Sequence, residues 1–130
     1  TQTEYPCLIN PLNHSINKNF PEISYKERII ILLSSTLGFI QPSRQNIANL
    51  MSISVKTLQR RLGEEGETFN QILYEIRKKK VNQYLISQQF SLEQVGLLLG
   101  YKAKSQFLKA FHIWFGMTPN EYKARVLHLA

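Results

Sequence analysis

The sequence predicts an all-α fold in which seven helices form two helix-turn-helix subdomains joined by a long central helix. At four places a Ser or Thr is followed three residues later by Glu or Gln, which matches a capping box at a helix start. Two junctions then repeat one layout: a short helix, a tight turn and a second helix with an apolar inner face. Between these junctions, residues 69–87 form one continuous helical pattern.

The first 23 residues are polar and rich in asparagine, and they show no helical or strand periodicity. We interpret residues 1–23 as a linker or arm and residues 24–130 as the folded domain. Since the chain begins inside such a segment and without methionine, we expect it to be part of a longer protein that continues upstream.

Capping patterns mark the helix starts along the folded domain. The four capping pairs are Ser24 with Glu27, Thr68 with Gln71, Ser91 with Gln94, and Thr118 with Glu121. Ser43, Ser54 and the turn at residues 101–104 predict three more starts. The expected helices span about residues 25–37, 44–51, 55–64, 69–87, 92–99, 104–115 and 119–128. We therefore divide the domain into a first unit at about 24–68, a linker helix at about 69–87 and a second unit at about 88–130.

The first helix pair, which turns at residues 51–54, has an apolar inner face and a basic outer face. Its second helix carries Lys56, Gln59 and Arg60. At about 100° per residue, these side chains point away from the inner face formed by Leu58 and Leu62. Lys and Arg can pair with phosphate or bind guanine, and Gln can bind adenine, in the major groove of DNA. These three residues are candidate DNA contacts, although a basic outer face is also typical of a solvated surface.

The second helix pair turns at Gly100, a residue suited to the left-handed conformation that ends a helix. The helix that follows presents Ser105 and Lys109 on its outer face, with Lys102 and Lys104 at its N-terminal tip, where free amides favour a phosphate. His112 lies on the same outer face, and these polar residues are candidate DNA contacts, although such a face is also typical of a solvated surface. The inner face is an apolar stripe that we expect to lie in the core: Phe107, Ala110, Phe111 and Trp114.

The helix predicted at residues 69–87 has the length of a spacer between two DNA-binding units. At 1.5 Å per residue it spans about 28 Å, and helices in successive major grooves lie about 34 Å apart. Its apolar positions drift from one side at residues 69–76 to another at residues 81–85, which predicts a different neighbour at each end. We expect the basic run at residues 77–80 to be a solvated face or a contact with the DNA backbone.

The composition limits the function classes. A net charge of +7 favours an acidic partner, either nucleic acid or an anionic membrane surface. The longest apolar run, residues 29–33, is too short to span a membrane. The single cysteine, Cys7, excludes an internal disulfide and favours a cytoplasmic location. Neither this cysteine nor the three histidines have metal-like spacing, so we expect no metal and no cofactor.

Several motifs resemble the AraC/XylS family of transcription regulators, over about residues 40–125 of this chain. The resemblance rests on the run from Ser54 to Leu62, on Gly100 with Tyr101, and on residues 107–122, which include Phe115-Gly116-Met117-Thr118-Pro119. It implies a DNA-binding domain of seven helices with two helix-turn-helix units, whose recognition helices enter adjacent major grooves. By position, it implies that two sets of residues face bases or nearby phosphates: Lys56, Gln59 and Arg60 in the first unit, and Lys104, Ser105 and Lys109 in the second.

Two positions depart from the family pattern. Ser52 stands in the first turn where the family often has glycine, so the turn either differs or tolerates serine. Lys109 stands where arginine is common, and lysine lacks the bidentate contact with guanine. We therefore expect the first unit to read bases more than the second does. The family also commonly places an effector-binding or dimerisation domain before this module, in keeping with the linker-like start.

The expected function is sequence-specific regulation of transcription through binding to double-stranded DNA, with no enzymatic activity and no membrane association. We expect the fragment to be monomeric, while RNA polymerase as a second partner and a homodimeric full-length protein stay open. One alternative is a helical module that binds an acidic protein and reads no bases, which a preference for one DNA sequence would exclude. Another is a repair protein with Cys7 as its reactive group, yet that cysteine stands alone in a polar arm.

Overall fold

A computed structural model describes residues 23–129 of the chain, with side chains up to residue 127. This part contains α1 (Tyr25–Thr36), α2 (Arg44–Leu50), α3 (Val55–Glu64), α4 (Phe69–Ser87), α5 (Leu92–Leu98), α6 (Lys104–Phe115) and α7 (Pro119–Leu129). Its β-structure is a single bridge between Leu37 and Ile40. The all-α prediction of two helix-turn-helix subdomains around a long central helix is confirmed, and every helix end lies within one residue of its predicted position. The predicted arm, apart from Ile23, and with it Cys7 and His14, lies outside the described residues, as does the His128 side chain.

Side-chain caps explain why the helix starts could be predicted. Ser24, Ser91 and Thr118 each form the full reciprocal capping box. Thr68 accepts a hydrogen bond from the amide of Gln71, but the Gln71 side chain donates to Glu75 Oε2 at 3.1 Å and does not complete the box. The start of α6 is different, because no side chain caps it at Ala103.

The first unit consists of α1, α2 and α3, packed around Ile29, Leu33 and other fully buried aliphatic residues. A carboxylate from the end of α3 reaches back to the start of α1. Glu65 accepts hydrogen bonds from the amides of Tyr25 at 2.8 Å and Lys26 at 3.0 Å. A negative group at a helix N-terminus is favourable, so Glu65 ties the two ends of this unit together.

The second unit consists of α5, α6 and α7, and aromatic residues form its core. Phe107 and Phe111 are fully buried. A Cβ on Gly96 would lie 3.1 Å from the Cβ of Phe107, so this glycine allows α5 and α6 to pack closely. The prediction that Trp114 lies in the core is right only in part. Trp114 is half-buried and packs edge-on against Tyr74 of α4, with ring centroids 6.0 Å apart.

The drift of apolar positions along α4 has the predicted cause. The buried side chains of its first half, Phe69 to Ile76, lie where α4 packs on α1. The buried Val81 and Leu85 lie in the half that packs on α5 and α7, where Asn82 accepts a hydrogen bond from the Tyr122 hydroxyl at 2.6 Å. Helix α4 therefore packs on helices of both units, and its buried side chains belong to one continuous apolar core.

The basic run on α4 is solvated only in part, and its possible contact with the DNA backbone stays a prediction. Lys78 and Lys79 are exposed, but Arg77 and Lys80 are partly buried and bonded to backbone carbonyls. Arg77 Nε donates to the Leu99 carbonyl at 2.7 Å, and Lys80 Nζ donates to the Ser34 carbonyl at 3.3 Å. Sequence periodicity missed these contacts because both partners lie far away along the chain.

Over residues 23–129, no helix is long and apolar enough to cross a bilayer. Within the same residues, no three or more His, Cys, Asp or Glu side chains gather into a group that could hold a metal ion.

Candidate nucleic-acid interface

The two turns that position the second helix of each pair share one hydrogen-bond pattern. In the first turn, the Ile53 amide donates to the Ala48 carbonyl at 3.0 Å, and in the second the Tyr101 amide donates to the Gly96 carbonyl at 2.9 Å. Each turn contains one residue with positive φ, Ser52 at 58° and Gly100 at 88°. Such bonds satisfy carbonyls at the end of the preceding helix. Ser52 therefore adopts the left-handed conformation that glycine usually provides, and the first turn tolerates it.

Helix α3 presents its predicted contact residues to solvent. Lys56, Gln59 and Arg60 are exposed, whereas Leu58 and Leu62 on the opposite side are at most 1% exposed. The amphipathic pattern fixes this orientation, because both leucines are anchored in the core of the first unit. The three polar side chains are therefore held side by side on one rigid, outward face.

The start of α3 is fixed by a local cap. The Ser54 hydroxyl accepts a hydrogen bond from the Thr57 amide at 3.0 Å and lies 2.9 Å from the Thr57 hydroxyl. Lys56 lies in this first turn, where the positive end of the helix adds to its charge. The N-terminal half of α3 is thus the more electropositive end of the surface.

An acidic side chain also lies on the outer face of α3. Glu64 Oε2 is 3.1 Å from Arg60 Nη1, and both side chains are more than half exposed. Exposed pairs of this kind contribute little to stability, about 0–1 kcal/mol. Arg60 can therefore exchange Glu64 for a base or a phosphate at small cost.

Helix α6 likewise presents Lys104, Ser105 and Lys109 to solvent, opposite the buried Phe107 and Phe111. No side chain caps this helix, and the Gln106 amide donates instead to the Ala103 carbonyl at 3.1 Å, which leaves the Lys104 and Ser105 amides at the tip. Anions are favoured at such an end. The arrangement suits a phosphate held between the first turn of α6 and the lysines beside it.

Two residues on the outer face of α6 were missed by the sequence analysis. Gln106 is exposed and lies beside Lys109, and the Ile113 side chain is 77% exposed one turn further along. The signal was available, since about 100° per residue places both within about 60° of Lys109. Gln106 adds a group that could hydrogen bond to adenine, and Ile113 adds an apolar one.

The structure thus brings each predicted set together on one helix face. It keeps the two sets on separate units, with the 19 residues of α4 between them. The chain offers two similar surfaces, each consisting of a helix anchored by a turn, with long hydrogen-bonding and basic side chains outward.

Comparisons with known proteins agree with this arrangement. A family described as "Helix-turn-helix domain" matches residues 47–125, more than half of the chain. The HTH-type transcriptional regulator VirS of Mycobacterium tuberculosis is 33% identical over 103 residues, which cover 79% of this chain and 30% of VirS. The chain therefore spans about a third of the length of this relative.

Solved structures show the same fold. The DNA-binding transcriptional dual regulator from Escherichia coli K-12 is similar with a TM-score of 0.72 and 26% identity, covering 82% of this chain and 95% of that one. The transcriptional regulator CdpR from Pseudomonas aeruginosa is similar with a TM-score of 0.67 and 33% identity, covering 76% of this chain and 31% of that one. This chain belongs to the AraC/XylS family of helix-turn-helix transcription regulators and corresponds to the DNA-binding domain of that family.

Proposed function

We propose that this domain binds double-stranded DNA sequence-specifically, with α3 and α6 as recognition helices in two successive major grooves. The observation that carries the proposal is the repeated geometry of the two helix pairs. In both, buried apolar residues fix the second helix, so that basic and amide side chains face outward. A net charge of +7 supports a polyanionic partner.

The two recognition helices have unequal roles in this proposal. Gln59 and Arg60 on α3 read base edges, because an amide and a guanidinium can each form two hydrogen bonds to one base. Lys104 and Ser105 at the uncapped tip of α6 bind phosphate, and Lys109 lies further into the groove. The first unit then supplies most of the specificity, while the second holds the backbone.

The division of the chain belongs to the same proposal. Residues 24–68 and 88–130 act as the two DNA-binding units, and the helix at residues 69–87 acts as their spacer. Its length of about 28 Å approaches the separation of about 34 Å between successive major grooves on one face of DNA. In this proposal residues 1–23 are a linker or arm.

Selection of bound duplexes from a random DNA pool tests the proposal. We expect two blocks of sequence preference about 10 base pairs apart, the first more sharply defined than the second. A variant with Gln59 and Arg60 both changed to alanine should lose the first block and keep the second. No preference over scrambled duplex at about 150 mM salt, where nonspecific binding is already weakened, would exclude the proposal.

The same selection separates this function from binding to an acidic protein, because an acidic protein partner gives no reason for a preference among DNA sequences. We further propose that the protein acts as a regulator and not as an enzyme, and that it does so in the cytoplasm. Contact with RNA polymerase and dimerisation would belong to the full-length protein.

A further inference from the structure

The two units touch each other directly, outside the helix that joins them. The loop between α1 and α2 packs on the C-terminal end of α5. A Cβ on Gly100 would lie 2.9 Å from the ring of the buried Pro42, and a Cβ on Gly38 would lie 3.0 Å from the Leu98 carbonyl oxygen. Both glycines have positive φ, 91° at Gly38 and 88° at Gly100. The loop and the end of α5 approach this closely because neither glycine has a side chain.

Arg77, in the middle of α4, closes this contact. Its Nε donates to the Leu99 carbonyl at 2.7 Å, and its guanidinium carbon lies 4.0 Å from the centre of the Tyr101 ring. Its Nη2 lies 3.3 Å from the place where a Gly100 Cβ would be. Carbonyls at a helix C-terminus attract cations, and the planar guanidinium can donate and stack at the same time. Arg77 thus contacts the turn of the second unit on two sides.

Three residues further along, α4 is bonded to the first unit. Lys80 Nζ donates to the Ser34 carbonyl, near the C-terminal end of α1, at 3.3 Å. One short stretch of the central helix therefore contacts both units at the point where they meet. We call the contact among Pro42, Arg77, Gly100 and Tyr101 the latch.

The latch has a consequence for DNA binding. A single helix can bend, and two units joined by α4 alone would vary in their separation and rotation. A second point of contact beside the helix removes that freedom. Because the turn that begins at Leu99 and Gly100 leads directly into α6, the latch fixes the direction of the second recognition helix relative to the first unit.

We propose that Arg77 is a positioning residue that holds α3 and α6 at one separation and phase, and so sets the half-site spacing that the domain accepts. This inference rests on the proposed function. It concerns where the two units stand on DNA, whereas the proposed function concerns what each unit reads.

The test uses duplexes that carry both selected half-sites at the selected spacing, or one base pair closer or further apart. One base pair shifts the second half-site by about 3.4 Å and rotates it by about 34°. For the unmodified chain, we expect each change in spacing to weaken binding by about tenfold or more. In Arg77→Ala, this penalty should shrink to about threefold or less, while affinity for a duplex with a single half-site stays within about twofold.

Lys79→Ala is the matched control, since it removes one positive charge from an exposed position two residues away. It should keep the full spacing penalty. Tyr101→Leu removes the ring on which Arg77 stacks, so it should reduce the spacing penalty as Arg77→Ala does. It also tests the latch if Arg77→Ala does not fold. Circular dichroism establishes which variants are folded.

An Arg77→Ala or Tyr101→Leu protein that folds and keeps the tenfold penalty would overturn the inference, and so would an unmodified chain that accepts all spacings equally. Failure of the proposed function looks different, because the unmodified chain would then prefer neither half-site to scrambled DNA.

Discussion

Arg60 is the residue from which we expect the largest effect on sequence preference. It is exposed at the centre of the outer face of α3, and its present partner is the exposed Glu64. Arg60→Ala should cost about 1–3 kcal/mol of binding free energy on the selected sequence and relax the preference at one or two base pairs. Titration of the selected duplex and of its single-base variants measures both effects.

Arg61→Ala provides the control for that experiment. Arg61 is the same residue type on the same helix, but its guanidinium lies 5.4 Å from the centre of the Tyr25 ring, towards α1. Its removal should leave base preference unchanged. An equal loss on every duplex in Arg60→Ala would instead assign Arg60 to phosphate.

Phe111 and Trp114 should differ in their contributions to stability, although both belong to one aromatic stripe. Phe111 is fully buried, so Phe111→Ala should lower the free energy of unfolding by about 3–5 kcal/mol. Trp114 is half-buried, so Trp114→Ala should lower it by about 1–2 kcal/mol. Chemical denaturation followed by circular dichroism measures both free energies. Circular dichroism is needed because Trp114 is the only tryptophan, so Trp114→Ala has no tryptophan fluorescence to follow. Equal losses would place both rings at the same depth.

At the residue scale, the sequence predicts the exposure of a side chain where that exposure depends only on spacing within one helix. The exposure of Lys56, Gln59 and Arg60 follows from the spacing of the leucines beside them, and it is confirmed. The position of Arg77 could not be predicted in that way. Its hydrogen-bond acceptor is 22 residues away, and a run of four basic residues gives no sign of which one faces inward.

At the element scale, the helix starts were predictable because their caps are local. A serine or threonine bonds to an amide three residues later, so the signal and the structure lie in the same short segment. The cap that Glu65 provides for α1 was not predictable, since it closes over 40 residues. Helix boundaries therefore agree closely with the prediction, whereas the hydrogen bonds between helices are known only from the structure.

The start of α7 should make stability depend on pH. The Glu121 carboxylate accepts a hydrogen bond from the Thr118 amide at 2.9 Å, and this bond lowers the pKa of Glu121 below its ordinary value of 4.5. A group whose pKa is lower in the folded state stabilises that state fully above its unfolded pKa and loses this effect as the pH falls through the folded pKa. We expect Glu121→Gln to lower Tm near neutral pH, with the difference from the unmodified chain vanishing in acid.

The α5 start offers the complementary variant. In its capping box the Ser91 amide donates to Gln94 Oε1 at 2.9 Å, so the acceptor is a neutral amide instead of a carboxylate. Gln94→Glu should therefore add at α5 a loss of Tm in acid, of the kind that Glu121→Gln removes at α7. Thermal unfolding between about pH 3 and pH 7 follows both. A Glu121→Gln chain with the acid dependence of the unmodified protein would contradict this origin.

At the scale of the whole molecule, the two-unit architecture was predictable, but the way the units meet was not. The repeated helix pairs and the long helix between them can be recognised in the sequence from capping residues and apolar periodicity. The contact between Pro42 and Gly100 joins residues whose proximity depends on how α4 packs at both ends. A turn glycine has the same appearance in sequence whether it borders solvent or, as here, another unit.

The charge of the whole surface should appear in the salt dependence of binding. Removing one lysine–phosphate pair should reduce the slope of log K against log salt by about 0.9, because fewer counterions are released from DNA. Lys104→Ala removes a lysine from the uncapped tip of α6, so we expect this reduction on the selected duplex and on scrambled duplexes alike. Gln59→Ala removes a neutral group from α3, so it should change base preference and leave the slope unchanged.

Affinities measured between about 50 and 200 mM salt give each slope. Lys79→Ala serves again as the control, because it lowers the net charge by the same amount from an exposed position on α4. If Lys79→Ala reduced the slope as much as Lys104→Ala, the effect would come from net charge and not from a contact at α6. A lower slope for Lys104→Ala alone would show that the N-terminal tip of the second recognition helix lies against a phosphate.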